Sequence, residues 1–228
     1  MDEITLVLVC KRPALGIGKQ RLVARLGMEK TRQIAQALLN CALEDVKNWQ
    51  GPVVIAPALE ADHDWAATLL LSSKSVRIRP QATGNLGQRL NGIDSKLRSE
   101  GLKQLVYIGS DAPLLTETDY AACRAALQHH DTVLIPATDG GVALMASCHP
   151  WPLLVSLPWS TDQLGAALID CCRSAGQSVA LLAQRSDVDK LEDCLELVAL
   201  LQNEERPARR QLHALVSNII NKMENHDD

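Results

Sequence analysis

Apolar and polar positions along the chain follow two patterns, short apolar runs and longer stretches in which apolar residues recur at helical spacing. Ile4 to Cys10 is apolar but too short for a helix, so it is predicted to be a buried strand. From about residue 29 to residue 48 apolar side chains recur every three or four positions, which predicts an amphipathic helix. Further strands are predicted at 53–56, 76–79, 105–108, 132–136, 142–148 and 179–183. Further helices are predicted at 62–71, 86–99, 116–128, 161–175, 190–202 and 207–222, with Thr116 as an N-cap.

The order of these elements predicts the fold class. Strands that alternate with helices are typical of an α/β protein with a mostly parallel sheet flanked by helices on both faces. We expect one domain over residues 1–203, and residues 204–228 as a helical extension of that same domain. In sheets of this kind, ligands bind beyond the carboxyl ends of the strands.

Composition narrows the class of protein. The net charge of −4 argues against nucleic acid as a partner, because nucleic-acid-binding surfaces are usually basic. The acidic start does not resemble a signal peptide, and no apolar run approaches the roughly 20 residues of a membrane span. The seven cysteines form no C-x-x-C pair, so we interpret them as buried reduced thiols, which suit a cytoplasmic protein.

The segment after the first strand combines cations with glycines. Glycine allows a backbone to approach an anion closely, and the amides at a helix start favour phosphate. The segment is neither a P-loop, since Pro13 and Gln20 break that pattern, nor a dinucleotide fingerprint; a solvated charged loop is the alternative. The residues are Lys11, Arg12, Lys19 and Arg21 around Gly16 and Gly18.

Carboxylates follow three other predicted strands. Asp111 stands at the end of an apolar strand, where it would suit a hard cation such as Mg²⁺ or simply cap a turn. Asp139 begins an Asp-Gly-Gly segment that a hairpin turn also explains. Asp187 and Asp189 precede a predicted helix, so either could cap it, and a second metal carboxylate is the alternative. Zinc-hydrolase histidine spacing and a serine nucleophile elbow are both absent from the sequence.

Taken in order, the motifs resemble a known family over roughly residues 4–195. This is the glycosyltransferase-like family with a nucleotide-diphospho-sugar transferase (GT-A) fold, of the radical-SAM/selenodomain-associated or arsenosugar-biosynthesis kind. The family is also similar to the 2-phospholactate guanylyltransferases. The motifs are K-R-P-x-x-G-x-G-K-x-R-L at 11–22, G-N-L-G-x-R-L at 84–90, I-G-S-D-A-P at 108–113, P-A-T-D-G-G at 136–141, P-W-S-T at 158–161 and D-V-D at 187–189.

The resemblance implies a role for each matching residue. A Mg²⁺ or Mn²⁺ ion would be held by Asp111 and Asp189. Asp139 would face the acceptor or the sugar; the resemblance names no catalytic base, and Asp139 is the one candidate to test for that role. The nucleotide would be bound by Lys11, Pro13, Gly16, Lys19, Arg21, Gly87 and Arg89. The acceptor or the sugar would contact Gly140, Gly141, Trp159 and Thr161. We expect Lys19 and Arg21 to be exposed.

Three functions agree with these residues. The first is metal-dependent glycosyl transfer from a nucleotide-diphospho-sugar to a small-molecule acceptor. The second is nucleotidyl transfer to a phosphorylated small molecule, for which the same cations and metal would serve. The third is nucleotide binding without catalysis, favoured by departures from the family pattern, with Gln20 in place of Thr, neutral Asn85 and Gln88, and Ala112 in place of Cys.

Overall fold

The computed structural model describes residues 3–69 and 76–224. Within these residues the strands are β1 (Ile4–Cys10), β2 (Val53–Pro57), β3 (Val76–Ile78), β4 (Gln104–Ile108), β5 (Thr132–Pro136), β6 (Val142–Ser147) and β7 (Val179–Leu181). The helices are α1 (Gln20–Leu26), α2 (Met28–Asn48), α3 (His63–Thr68), α4 (Leu86–Ser99), α5 (Glu117–Ala126), α6 (Leu164–Ser174), α7 (Leu191–Leu200) and α8 (Pro207–Glu224). A 3-10 turn, Glu60–Asp62, precedes α3.

The predicted fold class is confirmed. The strands form one sheet in the order β3-β2-β1-β4-β6-β5-β7, and every neighbouring pair is parallel except the two that involve β6. Leu6 pairs with Val53 of β2 on one side and with Val106 of β4 on the other. After β1 the chain crosses to β2, whereas β4 lies on the opposite side of β1. A crevice therefore opens between the loops that follow β1 and β4.

Most element boundaries agree with the pattern of apolar positions, and the differences have local causes. The helix predicted at 161–175 begins at Leu164, because the hydroxyl of Thr161 donates to Pro158 O and the preceding residues form turns. The helix predicted at 62–71 covers His63–Thr68, and its last two predicted residues lie outside the described part of the chain. Helix α1 was not predicted, because its seven residues are too few for a clear periodicity.

The N-cap prediction at Thr116 is confirmed. The Thr116 hydroxyl oxygen accepts from the backbone N–H of Asp119 at 3.3 Å. The carboxylate of Asp119 accepts in return from the backbone N–H of Thr116 at 2.9 Å. This reciprocal capping box satisfies two orphan amides at the start of α5.

Successive residues of the central strands point to opposite faces of the sheet, and helices cover both faces. Leu6 and Leu8 of β1 pack with α2 and α5 on one face, and Val7 packs with α4 and α6 on the other. Helix α8 covers the outer side of α2 through Leu212 and Val216. Among the described helices, none is both long and apolar enough to cross a bilayer.

The cysteine interpretation agrees with the structure at five of the seven positions. All seven thiols are free. Burial raises the pKa of the Cys10 thiol to about 12, and nearby Asp62 adds to the effect. Such thiols stay neutral and unreactive. The buried five are Cys10, Cys41, Cys123, Cys172 and Cys194.

A buried arginine ties α8 to the loop after β4. The Arg209 side chain is fully buried and donates to Asp45 Oδ2 at 2.7 Å and to Glu44 Oε2 at 2.8 Å, both on α2. It also donates to the backbone carbonyl of Pro113 at 3.0 Å. Because its hydrogen bonds are shared between carboxylates and carbonyls, the guanidinium is satisfied without water. The loop that carries Asp111 is thus fixed by α8 through Arg209.

Candidate functional site

The loop after β1 folds back over the sheet edge through three residues with positive φ. Gly16 and Gly18 both have φ of 71°, where a side chain would be strained. Lys19 has φ of 45° and ψ of 44° although it is not a glycine, and it stands immediately before α1. Ser160 also has positive φ, at 66°. Among the described residues, Lys19 and Ser160 are the non-glycine residues with positive φ. Both line the same cavity, and such strained residues concentrate at functional sites.

The side chain of Lys19 is held inside the crevice. Its ammonium group lies 2.8 Å from Asp111 Oδ1 and donates to the backbone carbonyl of Val188 at 2.5 Å. Only 9% of the side chain is exposed, so the expectation that Lys19 is exposed is wrong. The ion pair with Asp111 holds the lysine inward, because a buried ammonium needs a partner. Asp111 itself keeps 56% of its side chain exposed.

The segment 187–189 contacts both the loop after β1 and the loop after β4. The backbone N–H of Val188 donates to Asp111 O at 2.9 Å. Asp189 forms an ion pair with Arg21 at 3.0 Å, and Arg21 is exposed as expected. Neither Asp187 nor Asp189 caps α7; Asp193 accepts from the backbone N–H groups of Asp189 and Lys190, both at 2.7 Å.

Asp187 differs from its neighbours in having no cation partner among the described ion pairs. Partial burial raises the pKa of its carboxyl to about 6, and the negative charges of Asp139, Asp111 and Asp193 act in the same direction. Asp187 and Asp111 line the same cavity. The site therefore contains one carboxylate whose charge is not compensated by the protein.

Arg89 reaches the crevice from the first turn of α4, which follows the glycine-containing segment 84–87. Asn85 caps α4 and exchanges hydrogen bonds with Gln88, which fixes the first turn of the helix. Arg89 Nε donates to Gln81 Oε1 at 2.8 Å, and the buried amide of Gln81 donates in turn to Ala56 O at 2.5 Å. In the described part of the chain Arg89 pairs with no carboxylate, so its charge is available to an anion.

Three adjoining cavities form one cleft along the carboxyl edge of the sheet. The first, of about 600 Å³, lies between the loop after β1 and the turn before α4. The second, which we call the central cavity, has a volume of about 540 Å³ and continues to Asp111 and Asp189. The third, of about 190 Å³, lies beyond Asp111 and is walled mainly by apolar side chains. Lys11 and Arg89 line both of the first two cavities, and Asp111 lines both of the last two.

The structure brings most of the expected nucleotide residues to this cleft. Gly16 lines the first cavity, and Arg21 is paired with Asp189, which lines the second. Gly87 packs behind the wall: a Cβ there would lie 2.1 Å from Leu154 O and 2.7 Å from Trp159 Nε1. The central cavity is lined by Lys11, Pro13, Lys19 and Arg89.

The expected acceptor residues are more dispersed. Trp159 lines the third cavity. Asp139 is exposed and accepts from the backbone N–H of Gly141 at 2.8 Å, as an Asx turn does. Gly140, with φ of 90°, packs against the backbone of Asp162, and Thr161 bonds within its own turn.

Comparison with known proteins places the chain in a family. A family model described as "Uncharacterized protein conserved in bacteria (DUF2064)" matches residues 38–161. The chain belongs to the DUF2064 family. The match covers the segments around Arg89, Asp111, Asp139 and Trp159 but neither the loop after β1 nor the segment 187–189. Among curated proteins, no match was found.

Solved structures share the fold of this DUF2064 protein. A protein from Desulfovibrio desulfuricans G20, provisionally described as a nucleotide-diphospho-sugar transferase, is 22% identical with a TM-score of 0.82; the match covers 96% of this chain and 99% of that one. A 4-diphosphocytidyl-2C-methyl-D-erythritol synthase from Anaerococcus prevotii DSM 20548 is 14% identical, with a TM-score of 0.52 and coverage of 88% and 99%. A CMP:2-keto-3-deoxy-manno-octonic acid synthetase solved with CTP is 12% identical, with a TM-score of 0.51 and coverage of 89% and 100%. At these identities the likeness shows the fold.

The sequence pattern misses Gln81, which contacts Arg89 behind the cleft, and describes Asp187 only in part. Gln81 follows a strand and belongs to no motif, and only its burial and its contacts with Arg89 mark it. Asp187 was weighed only as a cap or a metal ligand. Asp187 lines the third cavity and Asp189 the second, a difference that arises from tertiary contacts and that the Asp-Val-Asp segment does not signal.

Proposed function

We propose that this DUF2064 protein is an enzyme, a metal-dependent transferase that acts on a nucleotide-activated donor. The observation that carries the proposal is the order of charges along one cleft. Lys11 and Arg89, two cations without a carboxylate partner among the described ion pairs, line the route that ends at Asp111. A nucleoside in the first cavity and a diphosphate in the second match this order, because cations at close range stabilise phosphate oxygens.

Within that class, glycosyl transfer from a nucleotide-diphospho-sugar is our first proposal. The resemblance of the six motifs to the radical-SAM-associated glycosyltransferase-like family supports it. The central cavity, of about 540 Å³, offers polar side chains such as Gln20, Ser110 and Ser160 besides its cations. A sugar attached to the diphosphate would find hydrogen-bond partners there.

The residues of the cleft fit a divalent cation that arrives together with the diphosphate. Asp111 and Asp189 line the same cavity, and each forms an ion pair, with Lys19 and Arg21 respectively. Among the described residues no group of three acidic, cysteine or histidine side chains forms a preformed metal site. Mg²⁺ commonly takes one or two carboxylates and completes its shell with phosphate oxygens and water. When bound, Mg²⁺ or Mn²⁺ would neutralise the charge of the departing diphosphate.

We assign the catalytic base to Asp187 and withdraw that role from Asp139. Asp187 lines the third cavity beside Asp111 and is not paired with a cation in the described structure. The Asp139 carboxylate accepts from its own turn and is exposed. A general base must reach the proton that it removes, and Asp187 is the carboxylate placed where an acceptor would enter.

Nucleotidyl transfer is the second candidate. The cation set would serve it equally, and the fold is shared with the synthetase solved with CTP. Incubation with nucleotides and nucleotide sugars, each with and without Mg²⁺ or Mn²⁺, separates the candidates. Release of nucleoside diphosphate supports glycosyl transfer, release of pyrophosphate supports nucleotidyl transfer, and binding without turnover supports a nucleotide-binding protein without catalysis.

A binding experiment tests the site itself. Arg89→Met should weaken nucleotide binding by at least tenfold, because it removes a charge-assisted hydrogen bond worth about 1.5–3 kcal/mol. Arg77→Met is the matched control, since Arg77 pairs with Glu100 at 3.6 Å on the edge strand β3 and lines none of the three cavities. Equal affinities in the two variants, measured by calorimetry, would contradict the site.

A further inference from the structure

The third cavity differs in chemistry from the rest of the cleft. It lies beyond Asp111, its described lining residues include no lysine or arginine, and its volume is about 190 Å³. Its walls come from the sheet, from the first turns of α4 and from the segment before α6. The apolar side chains that line it include Leu86, Leu90, Val142, Met145, Trp159 and Leu164.

The uncharged polar groups in these walls are already engaged. The hydroxyl of Tyr107 donates to Asp94 Oδ1 at 2.8 Å, within the core. The indole N–H of Trp159 donates to the backbone carbonyl of Leu154 at 2.8 Å. Asp111 and Asp187 are then the polar side chains of the lining that can still meet a ligand, and both accept hydrogen bonds.

A sugar would match this cavity poorly. Each hydroxyl that loses water without finding a partner costs about 1–3 kcal/mol, and a hexose carries several. An apolar group instead gains about 25 cal/mol for every Å² that it removes from water. The volume is comparable to the roughly 150 Å³ of a cavity that accommodates a benzene ring. Leu86, with 37% exposure, presents apolar surface at the edge of this cavity and of the central one.

We infer that the acceptor of the transfer is an alcohol with a small apolar carbon skeleton, bound with the skeleton in the third cavity and the hydroxyl towards Asp187. The inference rests on the proposed function and names its acceptor class. In the transfer, the acceptor oxygen forms a bond to the anomeric carbon of the donor sugar. The bond from that carbon to the diphosphate oxygen breaks, and its electron pair leaves with the nucleoside diphosphate. The hydroxyl proton passes to the Asp187 carboxylate.

Binding of two cyclic alcohols to the protein without nucleotide tests the inference. Cyclohexanol and inositol share a six-membered carbon ring, but they carry one and six hydroxyl groups. We expect cyclohexanol to bind at least tenfold more tightly, followed by NMR through the indole N–H of Trp159, which is assigned by its loss in Trp159→Phe. Leu86→Asn, on a partly exposed residue that tolerates a polar side chain, should weaken cyclohexanol binding about tenfold. Ala143→Leu should do the same by filling the cavity.

A leucine introduced outside the cleft provides the control. Ala121→Leu lies on an exposed face of α5 and should leave cyclohexanol binding unchanged. Equal binding of the two alcohols, no detectable binding of cyclohexanol, or binding that survives both cavity variants would overturn the inference. Because no donor is present, failure here leaves the nucleotide experiments unaffected, and failure of the nucleotide experiments leaves this result standing.

Discussion

The ammonium group of Lys19 lies 2.8 Å from Asp111 Oδ1, so a lysine of the first loop neutralises the carboxylate at the end of β4. The same group donates to Val188 O, and three segments of the cleft are thereby joined by one side chain. A cation that is already in place has two consequences. We expect it to lower the attraction of Asp111 for a metal ion that arrives alone, and the proposed metal would then bind together with a diphosphate.

The first prediction concerns Lys19→Met. The methionine keeps the length of the side chain and removes the charge, so Asp111 is released. We expect the affinity for Mn²⁺ without nucleotide to rise by roughly tenfold, equivalent to about 1.4 kcal/mol, and the affinity for nucleotide to fall. Titration calorimetry measures both. Arg21→Met is the comparison: its ion pair with Asp189 is exposed, so smaller changes are expected. Parallel changes in both affinities would contradict the role of Lys19 as the resident cation.

The second prediction concerns metal dependence. Addition of Mg²⁺ or Mn²⁺ should strengthen the binding of a nucleoside diphosphate to the parent protein. Asp111→Asn keeps the shape and removes the charge, so it should abolish this gain, whereas Asp189→Asn should reduce it less, because Mg²⁺ can retain water ligands. Metal-independent binding in the parent protein would count against both transfer reactions.

The fold was predictable from the sequence because its strands are short apolar runs with clear breaks. Leu86–Ser99 and Thr132–Pro136 were predicted with the boundaries that the structure has. The loop geometry was not predictable in the same way. That Lys19 turns inward depends on its positive φ and on a carboxylate from a distant loop, and neither leaves a trace in local periodicity.

The two carboxylates considered as a catalytic base show the same limit. Asp139 was chosen because Asp-Gly-Gly stands at a strand end, yet the turn itself uses the carboxylate. Asp187 was placed beside the cleft by the register of the segment that follows β7, which pairs Val188 N–H with Asp111 O. Sequence motifs therefore located the cleft, and tertiary contacts decided which carboxylate lies free within it.

The third prediction concerns Gly87. A methyl group at this position would lie 2.1 Å from Leu154 O and 2.7 Å from Trp159 Nε1, so the backbone or the indole must move. We expect Gly87→Ala to lower the free energy of unfolding by about 1–3 kcal/mol and to shift the indole N–H resonance of Trp159. Gly109→Ala is the control, since its Cβ would meet nothing nearer than Asp111 N at 3.9 Å. An unchanged Trp159 resonance in Gly87→Ala would show that the wall of the third cavity does not depend on this glycine.

The fourth prediction concerns how the Asp187 carboxyl makes the free energy of unfolding depend on pH. Burial raises the pKa of its carboxyl to about 6, with Asp139, Asp111 and Asp193 adding repulsion, whereas the unfolded chain titrates near the ordinary value of about 3.9. The folded state therefore binds this proton more tightly. Protonation of Asp187 therefore stabilises the folded state; this contribution is fully present below about pH 4 and is lost as the pH rises through about 6.

The variant Asp187→Asn cannot ionise, so it should avoid that loss. We expect its free energy of unfolding to exceed that of the parent by on the order of 1–2 kcal/mol at pH 7.5 and by much less at pH 4.5, measured in urea with EDTA present. Asp170→Asn, on an exposed position of α6, is the matched control and should show no such pH-dependent gain.

If Asp187 is the base, the stabilised variant should bind nucleotide as the parent does and lose transfer to the acceptor. A carboxylate kept where it destabilises the fold is expected of a residue retained for chemistry. A variant that gains no stability at pH 7.5 would show that Asp187 is compensated, and one that gains stability but keeps full transfer would place the base elsewhere.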